Sequence, residues 1–320
     1  MYFLQTLMYD EQVLNAANPG SIFDNLTFYD QNLHEIGDFQ VGIIGLDKKS
    51  LNAFRNTFYL YGDHFQLPIL DLGLVKNNDN LVENLEKLSK QISLIVIGGI
   101  PLNFTDSTAT VNKVLDEGHK DELKKFIGYQ RHLSQLNIYN QIDEYQNISL
   151  GELRKNSQMI EPLMRTCKNL SFDLSTIKQA DLGIDADNIV GLTLEESSQI
   201  CRYAGITPNM QIAHFPNLQP QFAYGNISHE FASCVSTMVW YFVEGLLNLK
   251  YETPKEDDHI SYVINSEYFE EPLTFLKGER SGRWWMKYGE GAEFVPCLYE
   301  DFVQSKEGNI PDRLYKYCLS

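Results

Sequence analysis

The sequence lacks the cysteine patterns of a disulfide-bonded or zinc-binding protein. Its 320 residues include five cysteines, which lie far apart and form no Cys-x-x-Cys pair. Disulfide frameworks and structural zinc sites need an even or closely spaced set of cysteines. We therefore expect reduced thiols, several of them buried. The amino-terminal segment also lacks a basic leader with a small-residue cleavage site, so we predict a cytoplasmic protein.

Basic residues are scarce as well. The chain has 43 Asp and Glu residues against 26 Lys and Arg residues, which gives a formal net charge of −17. Such a charge opposes attraction to phosphate backbones and to anionic lipids. The most apolar helix candidate, 229–249, carries Glu230 and Glu244, which favours a helix of the core over a membrane span. We expect neither a nucleic-acid partner nor a membrane partner.

Several catalytic and cofactor motifs are also missing. There is no Gly-x-Ser-x-Gly sequence for a serine nucleophile, and the glycines at 98 and 99 lack the third glycine of a dinucleotide fingerprint. His132 and His214 lie on or just after apolar runs, where a hydrogen-bonded structural histidine is the more frequent outcome. We predict no cofactor from these features.

What is present is the pattern of an α/β protein. With 43% hydrophobic residues, the chain is long enough to bury a substantial core. Short runs rich in Ile, Val, Leu and Phe, without polar alternation, are typical of parallel strands covered on both faces. We predict such strands at 39–47, 92–99, 125–132, 169–175 and 210–216. We predict helices at about 50–61, 78–91, 108–124, 191–204 and 229–249. The fourth helix should begin near 194, because Thr193 and Glu196 form a capping-box pattern.

The chain is predicted to form one large domain with an appendage. We assign residues 1–252 to the α/β domain and residues 253–320 to a carboxy-terminal extension packed on the same domain. The extension contains β-like pieces and a last helical stretch from about 299. Its sequence "SGRWWMKYG" has adjacent tryptophans, Trp284 and Trp285, which point to opposite faces of a strand. Either one is exposed or covered by a partner chain, or both are buried by the terminal helix.

In a parallel α/β sheet, ligands bind at the carboxyl ends of the strands. The stretch "LSFDLSTIKQAD", 170–181, reads as a buried strand that places the carboxylate of Asp173 at such an end. The loops after Gly99, Arg131 and Phe215 are the other candidate positions. We expect any chemistry of the chain at this edge.

Longer segments resemble a known family. The sequences "IEPLMRTCKNLSFDLSTIK", "GLTLEESSQICRYAGIT" and "VWYFVEG", and the tail from "SGRWWMKYGEG" to "IPDRLYKY", resemble the arginase and formimidoylglutamase (ureohydrolase) family. The chain is most similar to its formimidoylglutamase-like branch from Bacteroidetes. The resemblance extends from about residue 39 to the end. It implies a three-layer α/β/α sandwich around a mainly parallel sheet, the arginase/deacetylase-like fold.

Active members of that family hydrolyse guanidino or formimino groups with two manganese ions, and this sequence departs from their ligand motifs. The family's Gly-Gly-Asp-His reads "GGIPL" here, with Ile100 and Pro101 in place of the two ligands. Its Ser-x-Asp-x-Asp keeps Ser171 and Asp173 but has Ser175 as the last residue. A lone carboxylate does not hold two dications against water.

The family's second motif, Asp-x-His-x-Asp at the end of the next strand, does not occur in the sequence. The interval between Gly99 and Ile127 has room for one helix and one strand, so we infer that a strand–helix unit is deleted. The nearest match is "DEGHKDE", in which Asp116, His119 and Asp121 could cluster on one side of a helical turn. A solvated helix surface is the simpler interpretation of that segment.

The substrate-binding strand end of the family, Glu-x-Asn-Pro, reads "NLQP" here. Asn217 and Gln219 replace the residues of that motif, and a neutral amide does not pair a guanidinium group as a carboxylate does. Asp185, Asp187 and Glu196 follow an EF-hand count, but Ile189 and Val190 stand where that loop needs an oxygen ligand and a glycine. We expect a solvated acidic loop there.

We therefore predict a catalytically inactive ureohydrolase-fold protein, kept as a binding or structural module in a protein assembly or homo-oligomer. Asp173, Ser175, Asn217 and Gln219 are the residues of its vestigial pocket, with no metal or cofactor. The alternative is a divergent hydrolase of a formimino or guanidino substrate, with manganese held by Asp173 and by His119 or Asp121. A third possibility is a small-molecule sensor that binds through the vestigial pocket.

Overall fold

The computed structural model describes residues 4–5, 17–30, 36–76, 80–110, 125–134, 147–182, 189–216, 218, 229–249, 252–255, 259–265, 271–309 and 311. Its first sheet has ten strands. They are β1 (Leu4–Gln5), β2 (Leu26–Phe28), β3 (Val41–Gly45), β4 (Ile69–Val75), β5 (Ser93–Ile97), β6 (Ser107–Thr110), β7 (Lys125–Tyr129), β8 (Ile148–Ser149), β9 (Asn169–Phe172) and β10 (Ile212–Phe215).

This main sheet is almost entirely parallel. Its order is β1-β4-β3-β5-β10-β9-β6-β7-β8, with β2 beside β4. Every pairing is parallel except that of β1 with β4. The predicted α/β fold with a mainly parallel sheet is therefore confirmed.

Helices cover the sheet. In chain order they are α1 (Lys48–Phe58), α2 (Leu81–Leu88), α3 (Leu150–Lys155), α4 (Ile160–Met164), α5 (Gln179–Leu182), α6 (Leu194–Gly205), α7 (His229–Leu247) and α8 (Tyr299–Lys306). The predicted capping box at the start of α6 is present, with Thr193 accepting from the Glu196 amide. Among the helices that the structure describes, none is long and apolar enough to cross a membrane.

The two faces of the sheet enter different hydrophobic clusters. Along β5, Ile95 and Ile97 belong to the larger cluster, which also contains buried residues of α1, α6 and α7. Leu94 and Val96, on the opposite face, belong to the cluster that contains Leu85 of α2. Both sets are buried, which explains why β5 reads as an uninterrupted apolar run rather than as an alternating one.

Two glycines allow α6 and α7 to approach closely. A Cβ atom on Gly205 would lie 2.1 Å from the Phe242 carbonyl oxygen, and one on Gly245 would lie 2.5 Å from the Arg202 carbonyl oxygen. Both distances are far below van der Waals contact. The spacing of these helices therefore depends on the absence of a side chain at both positions.

The carboxy-terminal residues form a second, four-stranded antiparallel sheet. Its strands are β11 (His259–Ile264), β12 (Leu273–Gly278), β13 (Trp284–Tyr288) and β14 (Val295–Cys297), in sequential order. A separate hydrophobic cluster joins this sheet to Phe302 of α8. The predicted β-like pieces and the final helix are thus confirmed as elements.

The two tryptophans of β13 point to opposite faces, as predicted, and both are buried. Trp284 stacks on Phe302 of α8, with ring centroids 5.0 Å apart. Trp285 lies beneath the Arg165 guanidinium, which is 4.9 Å from the ring centroid, and its edge meets His259. Of the two alternatives, burial of both tryptophans is therefore correct. The terminal helix covers only one of the pair, and Arg165 of the main domain covers the other.

The prediction of a helix over 108–124 is wrong at its start. Residues Ser107–Thr110 form β6, which lies between β9 and β7 in the main sheet. The interval between Gly99 and Ile127 thus contains β6 before β7 begins, and the inferred deletion of a strand–helix unit relative to the family stays a prediction. Residues 111–124 lie outside the described part of the chain. A polar strand such as Ser-Thr-Ala-Thr has no apolar run, so it was not recognised.

The glycine contact between α6 and α7 makes a testable prediction. Gly245→Ala should lower the free energy of unfolding by about 1–3 kcal/mol, because the added methyl group forces the helices apart. Urea unfolding monitored by circular dichroism measures this change. The matched control is Gly151→Ala in α3, where an added Cβ meets nothing within 4 Å. That substitution should stabilise by up to about 1 kcal/mol, and equal effects of the two variants would contradict the close approach.

A second prediction concerns the buried ion pair between Arg55 and Asp71, whose side chains are 1% and 0% exposed. Asp71→Asn should cost about 3–5 kcal/mol, because it leaves a buried guanidinium without its counter-charge. Urea unfolding is again the measurement. Adding Arg55→Met should recover part of the loss. As a control, Glu83→Gln breaks the exposed pair with Lys87 and should leave the unfolding midpoint unchanged. Similar midpoints for Asp71→Asn and Glu83→Gln would contradict the prediction.

Candidate functional site

The carboxyl edge of the main sheet brings together several strand ends, among them three that were predicted to carry any chemistry, at Gly99, Asp173 and Phe215. In the order β3, β5, β10, β9 and β6, these ends are Asp47, Gly98, Pro216, Asp173 and Thr110. Neighbouring parallel strands end at the same edge, so these residues lie side by side. The question is whether their polar groups face a ligand or the protein itself.

Asp173 uses its carboxylate and its backbone within the loop that it begins. Its Oδ1 accepts a hydrogen bond from the Ser175 amide at 2.9 Å, which caps the short 3-10 turn Leu174–Thr176. Its own amide donates to Thr110 Oγ1 at 2.9 Å. Thr176 Oγ1 donates to the Asp173 carbonyl oxygen at 2.6 Å. Asp173 therefore joins β9 to β6 and closes the following turn, while Ser175 lies exposed.

A second carboxylate, Asp47, organises the loop after β5. Its Oδ1 accepts from the Ser50 amide at 2.8 Å and caps α1, and its Oδ2 accepts from the Gly99 amide at 3.0 Å. Gly98 and Gly99 both have positive φ, 84° and 73°. A Cβ on Gly98 would lie 2.2 Å from Asp47 Oδ2. The paired glycines are thus required by the backbone and by this contact.

Two residues follow these glycines at the positions where the sequence resemblance implies metal ligands. Their side chains offer no donor atoms. Ile100 is 72% exposed, and Pro101 is exposed beside it. An isoleucine and a proline side chain cannot coordinate a metal. This loop therefore presents an apolar surface at the edge of the sheet.

His214 lies in β10, directly behind the paired glycines. Its Nε2 is 3.0 Å from the Gly98 carbonyl oxygen, so this nitrogen donates, and Phe104 meets the ring edge-on at 5.8 Å. Burial lowers the pKa of His214 to about 4, despite the opposing hydrogen bond to Gly98. The expected structural role of His214 is confirmed. His132, by contrast, is exposed in the 3-10 turn Arg131–Leu133, and the expectation of a structural histidine there is wrong.

Several candidate residues fall where the structure gives no description. The vestigial-pocket residues Asn217 and Gln219 lie outside the described residues, and so do Asp116, His119, Asp121, Asp185 and Asp187. Glu196, the last residue of the EF-hand count, closes the capping box of α6 and lies 3.2 Å from Arg154 Nε. Its carboxylate is thus engaged within the fold.

The donor set does not fit a pair of manganese ions in the parts of the chain that the structure describes. No three His, Cys, Asp or Glu side chains there come together in a group that could hold a metal ion. Asp173 and Asp47 each accept a backbone N–H, and the buried ring of His214 holds the Gly98 carbonyl. The described strand ends therefore satisfy backbone groups rather than converging on one point.

Two residues of this edge were not identified from the sequence. Asp47 had a detectable signal, because an aspartate between a strand and a helical pattern is a frequent N-cap. Thr110 had none, since its strand was read as a helix.

The described cysteines form no disulfide bond and are buried: Cys167, Cys201, Cys234 and Cys297. Burial raises the pKa of Cys201 and, with the charges of Asp181 and Glu230, raises that of Cys234 to about 11. Such thiols are poor nucleophiles.

With this geometry in view, the chain can be compared with known proteins. No protein-family model and no curated protein matches the sequence. Solved structures do match. Formiminoglutamase from Trypanosoma cruzi with Mn²⁺ superimposes with a TM-score of 0.54 at 17% identity, over 72% of this chain and 99% of that one.

Formimidoylglutamase from Bacillus subtilis gives a TM-score of 0.56 at 12% identity, over 78% of this chain and 98% of that one. The agmatine ureohydrolase of Thermoplasma volcanium gives 0.50 at 12% identity, over 74% and 97%. The chain shares the fold of these three structures. At these identities the likeness concerns the fold alone, so the residues of the carboxyl edge described above must carry any functional argument.

The buried His214 makes the stability of the protein depend on pH. Its pKa in the folded state is about 4, whereas an unfolded histidine has a pKa of about 6.5. Between these values the unfolded chain binds more protons, so stability is complete above pH ~6.5 and falls as the pH falls towards ~4. The loss reaches about 3 kcal/mol.

His214→Gln should flatten this part of the pH profile, whatever its effect on stability at neutral pH. Urea unfolding at several pH values from 7 to 4 measures the slope. The control His64→Gln removes an exposed imidazole. If both variants keep the slope of the unmodified chain, His214 is not its source.

Proposed function

We propose that this chain is a non-catalytic member of the arginase-superfamily fold, which serves as a binding or structural module. The observation that carries the proposal is the use of the carboxyl edge. There, the carboxylates of Asp173 and Asp47 accept backbone N–H groups, and Ile100 and Pro101 occupy the loop beside them. A hydrolase of this class needs an acidic set of ligands that converges on two metal ions.

The exposed apolar side chains near the carboxyl edge also support the proposal. Apolar side chains are exposed on loops that follow β5 and β7, at Ile100 and Leu133, and on the loop before α6, at Ile189 and Val190. The last of these loops is held to β7, because Gln130 Nε2 donates to the Val190 carbonyl oxygen at 2.8 Å. An exposed apolar edge is more useful to a protein that binds other proteins than to an enzyme that handles cationic substrates.

On this proposal the protein acts in the cytoplasm, in an assembly with a protein partner or with further copies of itself. The similarity to the formimidoylglutamase-like branch then reflects the fold rather than the activity. The alternative is a divergent hydrolase of a formimino or guanidino compound. In that case manganese would be bound through Asp173 together with residues of the segments that the structure does not describe.

Metal content and turnover distinguish the two. Protein expressed and purified with manganese supplied should contain far less than one manganese ion per chain by elemental mass spectrometry. It should release neither formamide from formiminoglutamate nor urea from arginine or agmatine. Near-stoichiometric manganese, or turnover of any of these compounds, would overturn the proposal.

The role of Asp173 gives a sharper comparison. Asp173→Asn should cost about 0.5–2 kcal/mol of stability through loss of the cap on the following turn, without altering metal content. The matched control is Asp24→Asn, in which another carboxylate that accepts a backbone amide, from Gly20 at 2.7 Å, is changed. If Asp173→Asn, unlike Asp24→Asn, removes bound manganese or a measured activity, Asp173 is a metal ligand and the hydrolase alternative is correct.

A further inference from the structure

The carboxy-terminal sheet has one edge strand that the described residues leave without a neighbour. The sheet order is β11-β12-β13-β14, so β11 and β14 are its two edges. The strand β14 has three residues, one of them Pro296, and its Cys297 carbonyl oxygen accepts from Arg165 at 3.1 Å. The strand β11 has six residues and, within the described part of the chain, pairs with β12 alone. It is therefore the open side of this sheet.

The backbone groups that β11 directs outward can be identified from its neighbour β12. The Gly278 amide donates to the Arg283 carbonyl oxygen at 2.9 Å, so Gly278 bonds away from β11. Backbone groups alternate in direction along an antiparallel strand. The odd-numbered residues of β12 therefore bond to β11, where their partners are even-numbered. It follows that the N–H and C=O groups of His259, Ser261 and Val263 point away from the sheet.

The strand β11 lacks the features that usually prevent an edge strand from pairing. Such strands are protected by charged residues, by proline or by a bulge. The sequence of β11, His-Ile-Ser-Tyr-Val-Ile, has no charged residue and no proline, and its pairs with β12 run without a register shift. Two of its apolar side chains are exposed, Ile260 at 41% and Val263 at 61%. An apolar edge of this kind is a template for a further strand.

Both faces of the carboxy-terminal sheet are already covered. On one face, the Phe302 ring of α8 lies 4.9 Å from that of Tyr262 and 5.0 Å from that of Trp284, between centroids. On the other face, Arg165 of the main domain lies over Trp285. The sheet can therefore grow along the edge of β11 without displacing either layer.

We propose that β11 pairs with β11 of a second copy of this chain, antiparallel and around a two-fold axis. Two chains of net charge −17 repel each other, so they meet most easily at an edge without charged residues. A two-fold axis makes an antiparallel strand its own partner. This inference deepens the proposed function and rests on it, because it names a second copy as the partner and β11 as the surface.

The outward backbone groups select the register of this pairing. An axis at Ser261 places Ser261 opposite its own copy and His259 opposite Val263 of the partner subunit. Each pair of outward residues then exchanges two backbone hydrogen bonds. The same axis places Ile260 opposite Tyr262 of the partner subunit, an aromatic and β-branched pair of the kind that stabilises antiparallel sheets. An axis at Tyr262 would leave His259 without a partner in the strand.

Sedimentation velocity of the full chain over a series of micromolar concentrations tests this inference. The unmodified chain should change from monomer to dimer as its concentration rises. Val263→Lys places a charge in the pairing edge, and Ser261→Pro removes the N–H at the axis. Each should raise the dissociation constant of the dimer by about tenfold or more. Both residues are tolerated where an edge strand faces solvent, so each variant should keep the circular dichroism spectrum of the unmodified chain.

The matched control is Leu247→Lys in α7. It changes another apolar side chain, 44% exposed, to lysine outside the pairing edge, and it should dimerise as the unmodified chain does.

Cross-linking locates the axis. Ser261→Cys brings two thiols together, because residues of a hydrogen-bonded antiparallel pair have Cα atoms about 5.5 Å apart, which suits a disulfide. Mild oxidation should convert this variant into a covalent dimer, above the level of the unmodified chain. The control is Ser175→Cys, at an exposed serine of the carboxyl edge, which should stay at that level.

The inference is supported if the dimer is weakened in both strand variants, kept in Leu247→Lys and cross-linked through Ser261→Cys. It is overturned if the unmodified chain stays monomeric, even where it captures another protein, or if both strand variants dimerise as the unmodified chain does. Cross-linking through Ser175→Cys instead of Ser261→Cys assigns the dimer to the carboxyl edge and also overturns it. The proposed function fails separately, through bound manganese or turnover, and a monomer without either leaves it standing.

Discussion

A single buried carboxylate, that of Asp71, holds the centre of the main domain together. Arg55 of α1 donates to it with two nitrogens, Nε at 2.9 Å and Nη2 at 2.7 Å, and the Tyr59 hydroxyl donates to the same group. Burial, followed by the charge of Asp71, raises the pKa of Tyr59 well above its usual value, so the phenol stays protonated as a donor. The set is closed, with one cation, one anion and their hydrogen bonds satisfied, as a low-dielectric site requires.

The same carboxylate also shapes the sheet. Asp71 Oδ1 accepts from the Gly73 amide at 2.9 Å, and the register of β3 against β4 shifts at this point, between Ile43 and Ile44. Gly73 has a φ of 80°, which favours glycine. The Asp71 carbonyl oxygen accepts from Tyr29 at 2.8 Å and so fixes the chain after β2. A helix and a bulge thus depend on the side chain of Asp71 in the middle of β4, and the chain after β2 is held by the backbone carbonyl of the same residue.

A second buried residue, Arg165, joins the main domain to the carboxy-terminal sheet. It is held by two carbonyl oxygens of the carboxy-terminal sheet, by Glu161 of its own helix and by the face of Trp285. Around Asp71 one cation and one anion form a pair, whereas Glu161 contacts both Arg165 and Arg283. The first arrangement fixes α1 to β4, and the second fixes the main domain to the carboxy-terminal sheet.

Buried contacts of polar residues explain which strands could be predicted from the sequence and which could not. The strands β3, β5, β9 and β10 were found because both of their faces are buried, which produces an uninterrupted apolar run. The strand β4 was missed because Asp71 and Gly73 interrupt it, and β6 because it reads Ser-Thr-Ala-Thr. In each case a tertiary contact, with Arg55 or with the loop of Asp173, makes a polar residue suitable for a buried strand. Local pattern cannot reveal a partner that is distant in sequence.

At the carboxyl edge of the main sheet, the sequence also contains residues whose role is to shape the backbone. The residues there that agree with the ureohydrolase motifs have backbone roles that the structure displays. Gly98 and Gly99 adopt positive φ against Asp47, Ser171 is buried in β9, and Asp173 caps its own turn. The residues that disagree, Ile100, Pro101 and Ser175, are exposed. The described strand ends are therefore shaped by contacts within the protein, a cap and a pair of glycines. The resemblance in sequence covers these backbone positions, and for that reason it predicts the architecture.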